Sequence, residues 1–515
     1  MVNHIIAAGH PETARAGSLI LEAGGNAFDA AIAALLAAFV CESATISAGG
    51  GGFLLAHSTE RQKNILYDFF VQTPQQQHPQ QPFDFRAVTA DFGGNTMNFH
   101  VGLAAIGIPG NIAGAFHIQQ QLGKMSFKQL AEPAIALAKT GVPLHDFQLT
   151  LMRLLQPIIM DCAEARAIFT NNNDNSLKKV GDIIYIQHLA DSLDYISREG
   201  KRAFYEGEIA QQLVKDSQER GGHITHNDLK NYSVIERQPL SCTYRNHTLL
   251  TNPPPSSGGT LIAFALQLLQ TIDLKAHNWG SVAHLSALWQ TQYLTNQARR
   301  KSFDANIYNP NVIKEFLVAP HIAQYAQTLR KIVGSTTQIS VLDKWGNAAS
   351  LTTSSGEGNS YYIPKTGIMT NNMLGEEDLN PNGFHQWTPN QRLSSMMSPT
   401  MICDKMGQVQ VVLGSSGANR IRSAVLQSIV NLLDFGLPLE AAINHARLHV
   451  EGQQVNFELG FDPDICAQVP LPNDMERIIW QNQSMYFGGV NAVSNPAKGG
   501  YLGVADARRS GVVLA

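Results

Sequence analysis

One stretch of the chain decides the fold: Gly334-Ser335-Thr336-Thr337-Gln338-Ile339-Ser340-Val341-Leu342-Asp343-Lys344-Trp345-Gly346-Asn347-Ala348. Side chains alternate in polarity over residues 336–342, which predicts a β-strand. Residues 343–347 have the composition of a tight turn, and residues 348–354 predict a second strand that runs back. The stretch therefore predicts a β-hairpin that begins with two threonines.

Thr336 and Thr337 allow a structural and a catalytic interpretation. Two β-branched residues often do no more than start a strand. A threonine hydroxyl becomes a nucleophile when a base lies beside it, and cleavage before the threonine would supply its own new α-amino group as that base. Such an amine titrates near ~7.7–8.0, so it can accept a proton at neutral pH.

Eight motifs, spread in order along the chain, favour the catalytic interpretation. Besides the hairpin they are HPETA at residues 10–14, GGNAFDAA at 24–31, GGGGF at 49–53, IPG at 108–110, PPPSSGG at 253–259, LSSM at 393–396 with SPT at 398–400, and GSSG at 414–417. On these motifs the chain resembles the gamma-glutamyltranspeptidases, which are N-terminal-nucleophile hydrolases that cleave themselves and then act on amides.

The resemblance implies an α+β fold built as a four-layer αββα sandwich. The mixed α/β content follows from the sequence itself, whereas the layers are implied by the family. A cut before Thr336 would give a helix-rich large piece, residues 1–335, and a strand-rich small piece, residues 336–515, of 515 − 335 = 180 residues. We expect the two pieces to form one globular heterodimer, with a dimer of these units left open.

The catalytic residues implied by the resemblance lie in the second part of the chain. The cleaved bond would join Ser335 to Thr336, the nucleophile. Ser354 occupies the place of a second family threonine that orients the nucleophile, and it keeps the hydroxyl. Gly417 and Ala418 match the glycine pair whose N–H groups form the oxyanion hole.

The substrate-binding pattern departs from the family. Ser394 and Ser395 match the paired serines that bind the α-carboxylate of a γ-glutamyl group. Phe70 stands where the family has a carboxylate-binding arginine, and Met373 and Glu376 replace a glutamine and an aspartate. These changes predict a more apolar acyl pocket.

The missing arginine has a large energetic consequence. A partly buried carboxylate without its partner costs about 3–5 kcal/mol, and two serine hydroxyls do not replace a bidentate guanidinium. Arg392 or Arg86 could supply the charge from another position. Gln338 replaces a family histidine on the strand face of Thr336, so a pH dependence owed to that imidazole should be absent.

Composition excludes several other classes of protein. A net charge of −4 without a run of like charges argues against nucleic acid or an anionic membrane as partner. The five scattered cysteines and the histidines show no zinc spacing, so we predict no metal and no cofactor. The longest apolar run, residues 30–41, is too short to span a bilayer, and the N-terminus has no signal-peptide pattern, which predicts a cytoplasmic protein.

Three functions follow for comparison. The first is a self-processing amide hydrolase or acyltransferase that takes a small-molecule amide, either γ-glutamyl or another acyl amide as cephalosporin-acylase-like and oxamate-hydrolase-like relatives would. The second is a metabolite-binding relative that never matures, suggested by the changes at Gln338, Ser354 and Ala418. The third, a serine esterase, requires glycine at position 418 to complete GxSxG, and the residue is alanine.

Overall fold

A computed structural model describes residues 3–79, 82–91, 96–171, 174–324, 336–380, 383–495 and 500–515. The strands are β1 Ile5–Ala8, β2 Gly51–Ser58, β3 Lys63–Phe69, β4 Arg86–Asp91, β5 Thr96–Val101, β6 Val142–Pro143, β7 Ile183–Ile184, β8 Ile235–Arg237, β9 Leu240–Tyr244, β10 His247–Thr251, β11 Thr337–Leu342, β12 Ala348–Ser354, β13 Tyr362–Ile363, β14 Ile368–Met369, β15 Thr400–Cys403, β16 Val409–Ser416, β17 Leu448–Glu451, β18 Gln454–Phe457, β19 Glu476–Ile479, β20 Gly489–Ser494, β21 Leu502–Ala505 and β22 Val512–Leu514.

The α-helices lie mainly in the first part of the chain. They are α1 Pro11–Glu22, α2 Ala27–Cys41, α3 Asn111–Leu122, α4 Phe127–Thr140, α5 Asp146–Leu154, α6 Gln156–Asp161, α7 Ala163–Phe169, α8 Leu189–Glu199, α9 Arg202–Tyr205, α10 Glu208–Glu219, α11 His226–Lys230, α12 Gly258–Leu269, α13 Val282–Ala298, α14 Val312–Phe316, α15 Ala319–Gln324, α16 Arg420–Leu433, α17 Leu439–Asn444 and α18 Pro463–Gln468.

Two antiparallel sheets form the centre of the molecule. Sheet A has seven strands in the order β22-β1-β11-β12-β2-β3-β8, and sheet B has six in the order β21-β20-β16-β15-β10-β9. Each sheet combines strands from before and after Thr336. The chain on either side of that residue therefore belongs to the same two sheets.

Helices cover the outer face of each sheet. Helices α1 to α3 pack on sheet A, with α4 packed against α2, and α12, α16 and α17 pack against sheet B. Every residue of α2 is buried, and Asn26 and Asp29 close its first turn as a capping box. In the part of the chain that the structure describes, no helix is long and apolar enough to cross a membrane. The order of layers is helix, sheet, sheet, helix, which confirms the predicted αββα sandwich.

The predicted hairpin is present, with β11 starting one residue later than expected. Along β11, Ile339 and Val341 face the helices on sheet A. Gln338 and Ser340 face sheet B, where the Ser340 hydroxyl donates to the carbonyl of Asn491 at 3.0 Å. The period of two along the strand thus separates an apolar face from a polar one, and Thr336 continues the polar face.

Candidate active site

Thr336 lies at the end of a central strand of sheet A. Its neighbour Thr337 pairs with Thr353 in the ladder between β11 and β12. The next position outward in an antiparallel ladder sets residue 336 opposite residue 354, so the structure brings Thr336 and Ser354 together. Thr336 is 7% exposed. Ser335, the other half of the predicted cleavage site, lies outside the described residues.

The hydroxyl of Ser354 is held by the turn that follows β12. Its Oγ accepts a hydrogen bond from the N–H of Gly356 at 2.9 Å and lies 3.4 Å from the carbonyl oxygen of the same residue. These contacts fix the rotamer of the serine side chain. In a threonine, the extra methyl group would restrict that rotamer. The serine at this position is therefore ordered without that methyl group.

Gly417 and Ala418 form a left-handed turn between β16 and α16. Their φ angles are +111° and +48°. Among the described residues, none accepts a hydrogen bond from the backbone N–H of either residue. The turn precedes the first residue of α16, where the helix dipole favours negative charge. Two free N–H groups at such a position have the geometry that an oxyanion hole requires.

A cavity of about 150 Å³ opens beside Thr336. One wall is apolar and consists of Leu144, Phe147, Leu151, Met152, Phe169 and Ile184. The rest is polar and includes Thr337, Ser416, Glu42, His10 and Arg509. Thr336 and Ser416 both line the cavity, and Ser416 directly precedes the turn at Gly417 and Ala418. The cavity can hold an apolar group that carries a charged end.

Arg509 is the cation that faces the oxyanion turn. A side chain on Gly417 would lie 3.0 Å from the guanidinium Nη2. That nitrogen donates to the carbonyl of Met485 at 3.1 Å, and within the described ranges Nε has no hydrogen-bond partner. Burial, together with the charge of Arg420, lowers the pKa of Arg509 to about 10. The group stays protonated at neutral pH and can bind an anion.

Nothing in the sequence distinguishes Arg509 from its neighbour Arg508. Arg508 is an internal ion-pair residue that bonds Glu458 at 2.7 Å and Asp506 at 3.0 Å. The charges of Glu357 and Asp506 act to raise the pKa of Arg509, but among the described residues neither carboxylate forms an ion pair with it. Only the fold distinguishes the structural arginine from the one in the cavity.

The five residues predicted to bind substrate do not line this cavity. Phe70 and Met373 are each 1% exposed, and Phe70 stacks on Phe53 with ring centroids 5.2 Å apart. They belong to the apolar core between the sheets. In the described part of the chain, the site therefore has no apolar acyl pocket formed by these two side chains at Thr336.

The three polar members of the predicted set lie in neighbouring loops. Ser395 is 3% exposed. Its carbonyl accepts hydrogen bonds from the hydroxyl of Ser256 and from the N–H of Ser257, each at 2.8 Å. Ser394 beside it is half-buried. Glu376 is also half-buried and packs close to the backbone of Gly356. Glu376 thus approaches the turn that holds Ser354.

Arg392 and Arg86, the two arginines that could supply the charge of the missing family arginine, bind other groups. Arg392 is 4% exposed and contacts Asp68 at 3.2 Å, the carbonyl of Phe70 at 2.7 Å and that of Ser233 at 2.7 Å. Arg86 lies on the surface and bonds Asp84, Asp161 and Ser360. Neither guanidinium lines the cavity at Thr336.

Gln338 shares the strand face of Thr336, as predicted, and its amide is fully buried. Nε2 donates to the hydroxyls of Ser340 and Ser350, each at 3.0 Å, and Oε1 accepts from Thr352 at 2.6 Å. All of these groups are uncharged. The position therefore contributes a neutral hydrogen-bond network beneath the nucleophile.

Glu42 ends α2 beside the strand that carries Thr336. Its Oε2 accepts from the hydroxyl of Thr337 at 2.7 Å and its Oε1 from that of Thr13 at 2.9 Å. Burial raises the pKa of Glu42, whereas the two hydroxyl donors act in the opposite direction. His10 lies nearby, and burial lowers its pKa to about 3. Nothing in the sequence points to Glu42, and His10 belongs to the HPETA motif without a role assigned to it.

A buried arrangement elsewhere resembles a serine triad. Ser423 Oγ lies 2.6 Å from His449 Nδ1, and His449 Nε2 lies 2.5 Å from Glu451. All three side chains are at most 3% exposed, and the adjoining cavity measures about 10 Å³. No substrate can reach this serine. Among the described residues, no group of three or more His, Cys, Asp and Glu side chains is placed to hold a metal ion.

Comparison with known proteins adds to this geometry. The chain matches the family model described as Gamma-glutamyltranspeptidase over residues 13–515. It is 31% identical to the glutathione hydrolase proenzyme of Escherichia coli strain K12, over 86% of this chain and 81% of that protein. It is 27% identical to the Acylase ACY 1 proenzyme of Pseudomonas sp. strain V22, over 99% and 93%. The crystal structure of cephalosporin acylase from Bacillus halodurans superposes with a TM-score of 0.84 at 21% identity, over 99% of this chain and 95% of that one.

Proposed function

The chain belongs to the gamma-glutamyltranspeptidase family and is an amide hydrolase or acyltransferase of that type, and from this premise we propose that Thr336 is its nucleophile. The observation that carries the proposal is that one cavity is lined by Thr336 and by Ser416, the residue directly before the Gly417–Ala418 turn. A hydroxyl nucleophile and two free N–H groups are the two parts that acyl transfer needs.

Maturation would use the same hydroxyl. Thr336 Oγ1 attacks the carbonyl carbon of residue 335, the peptide C–N bond breaks, and the nitrogen takes the hydroxyl proton. Water then hydrolyses the resulting ester, which frees the hydroxyl and leaves a carboxylate on the large piece and an α-amino group on Thr336. Two relatives named as proenzymes support this step. Since both sheets contain strands from both pieces, the pieces would remain together.

Catalysis would then repeat this chemistry on a substrate amide. The α-amino group of Thr336 takes the proton of Oγ1 as the oxygen attacks the acyl carbon. The N–H groups of Gly417 and Ala418 stabilise the tetrahedral oxyanion, at roughly 2.7–4 kcal/mol for one such donor. The proton passes to the leaving amine, and water, activated by the same α-amino group, releases the acid from the acyl-enzyme.

We further propose that the preferred acyl group is not γ-glutamyl. Position 70 carries a phenylalanine that is buried in the core, and Arg392 is occupied by Asp68 and two carbonyls. The cation next to the oxyanion turn is Arg509. An acyl amide with an apolar body and a carboxylate, but without an α-amino group, suits this combination best.

Three anilides that differ by one group each test the substrate. Glutaryl anilide has the carboxylate alone, γ-glutamyl anilide adds an α-amino group, and butyryl anilide has neither. We expect kcat/KM to be highest for glutaryl anilide, by about tenfold, since a charge-assisted hydrogen bond contributes about 1.5–3 kcal/mol. Arg509→Met should remove the preference for glutaryl over butyryl anilide. A γ-glutamyl anilide that is the best substrate would refute this assignment.

A non-maturing binding protein is the second candidate, and the alanine at position 418, where φ is +48°, is the observation in its favour. Such a protein would give one full-length band on denaturing electrophoresis after prolonged incubation. The proposed enzyme gives two bands, of 335 and 180 residues if the cut precedes Thr336.

A further inference from the structure

The nucleophile lies beyond the last hydrogen-bonded pair of its strand. The ladder between β11 and β12 begins with Thr337 and Thr353. Once the chain is cut, Thr336 is the first residue of its fragment and has no peptide on its N-terminal side. Its one remaining peptide bond then joins it to Thr337, so the placement of Thr337 limits where Thr336 lies.

Thr337 is anchored through its side chain. The side chain points to the helix-covered face of sheet A and donates to Glu42 Oε2 at 2.7 Å. The other carboxylate oxygen accepts from Thr13 in α1 at 2.9 Å. One carboxylate therefore connects the start of β11 to both α1 and α2.

Gly9 leaves the space for this contact. A Cβ on Gly9 would lie 2.7 Å from Thr337 Oγ1 and 2.8 Å from Glu42 Oε2. Both distances are shorter than real Cβ atoms tolerate. The backbone after β1 thus lies directly against the hydrogen bond.

In the part of the chain that the structure describes, Glu42 is paired with hydroxyls and not with a cation. Its recorded partners are the two hydroxyls, and within the described residues no Lys, Arg or His nitrogen forms an ion pair with it. The titratable groups that share its cavity are His10, His145, Asp146 and Arg509, and Glu12 and Cys41 lie on the adjoining helices. A half-buried carboxylate without a counter-ion is costly, and cleavage before Thr336 creates a cation one residue from its hydrogen-bond partner.

We propose that Glu42 is a positioning residue for the nucleophile, holding Thr337 in place and facing the α-ammonium group that cleavage creates on Thr336. The inference rests on the proposed role of Thr336. The negative charge of Glu42 then favours the protonated form of that amine. Because catalysis needs the neutral amine, the charge sets the acidic limb of the rate profile.

Substitutions at Thr337 test the hydrogen bond, and a substitution at Glu42 tests the charge. Thr337→Val removes the donor at constant shape, and Thr337→Ser restores it. We expect Thr337→Val to lower kcat by roughly tenfold to a hundredfold with little change in KM, because misplacing a reacting group by a fraction of an ångström costs that much, and Thr337→Ser to recover the rate to within a few-fold.

Glu42→Gln keeps an acceptor oxygen but removes the charge. The pKa of the α-amino group should fall, so the acidic limb of kcat/KM against pH should move by roughly one unit to lower pH. A shift of this size is expected when a neighbouring charge is removed from a partly buried site. Glu60→Gln, an exposed carboxylate on the turn after β2, is the matched control and should leave the limb unchanged.

The outcomes are distinguishable. An unmoved limb in Glu42→Gln, or a Thr337→Val rate within twofold of the parent, would overturn the inference while Thr336→Ala remains inactive. Activity in Thr336→Ala would instead overturn the proposed function. If Glu42→Gln does not fold, the Thr337→Val and Thr337→Ser pair decides alone.

Discussion

The side-chain amide of Gln338 in sheet A occupies the space that a side chain on Gly414 in sheet B would need. Gln338 is 0% exposed, and its amide bonds the hydroxyls of Ser340, Ser350 and Thr352. The Ser350 hydroxyl in turn donates to the carbonyl of Leu413 at 3.0 Å. The two sheets are thus joined beneath the nucleophile by uncharged hydrogen bonds.

Gln338→Leu should therefore destabilise the protein. The apolar side chain removes the acceptor of the Thr352 hydroxyl and the donor to the Ser340 and Ser350 hydroxyls. A buried group left unsatisfied costs about 1–3 kcal/mol, so we expect a loss of about 3 kcal/mol in the free energy of unfolding. Urea unfolding in the uncleaved Thr336→Ala background measures it on a single chain. A loss below 1 kcal/mol would contradict the role of this network.

Substitutions at position 418 test whether activity depends on the left-handed backbone conformation there. Because φ is +48° there, Ala418→Gly should keep activity and match or exceed the parent in stability, by up to about 1 kcal/mol. Ala418→Val places a β-branched residue in the left-handed region and should lose both stability and kcat. Thermal unfolding and kcat of the two variants give the comparison, and a fully active Ala418→Val would exclude the left-handed turn from the mechanism.

Arg392 should behave as a structural residue. Its side chain is 3% exposed and that of Asp68 is 0% exposed in the ion pair that they form. Arg392→Met leaves Asp68 with Arg237, 2.7 Å away, as its remaining charged partner, and we expect a loss of about 3 kcal/mol in stability. The ratio of kcat/KM for glutaryl to butyryl anilide should not change. A selective loss on the anionic substrate would show that Arg392, and not Arg509, binds the carboxylate.

His10 should make the protein sensitive to acid. Burial lowers its pKa to about 3, and its Nδ1 accepts the N–H of Glu12 at 3.1 Å as the N-cap of α1. The unfolded chain binds the proton near pH ~6.5, so the stability is fully present above that pH and falls as the pH drops from 6.5 towards 3. The slope for one such group is about 1.4 kcal/mol per pH unit.

His10→Asn removes the titration but keeps a capping oxygen. Its stability at pH 8 should match the parent, and its decline between pH 6 and pH 4 should be shallower by about the slope of one group. His10→Ala, which also loses the cap, should be less stable at both pH values. An Asn variant with an unchanged pH dependence would contradict the neutral state of His10.

Local sequence predicted the hairpin and the place of Thr336 within it. Alternation over residues 336–342 and 348–354 fixes the strands, and the antiparallel register then brings Thr336 opposite Ser354. The turn at Gly417 and Ala418 follows from its motif. The layer order was available from the family resemblance, since periodicity alone does not say which faces pack together.

Glu42 and Arg509 could not be found in the same way. Glu42 and Thr337 are 295 positions apart in the sequence, and their contact depends on how α2 packs against sheet A. Arg509 differs from Arg508 only in its surroundings. Phe70 was placed by motif matching at the acyl site, whereas its ring packs on Phe53 in the core between the sheets.

N-terminal sequencing of the small fragment tests the account most directly. The account predicts that purified, active protein yields two chains, that the smaller begins at Thr336, and that Thr336→Ala yields one uncut, inactive chain. Active protein whose backbone is continuous from residue 335 to residue 336 would contradict it.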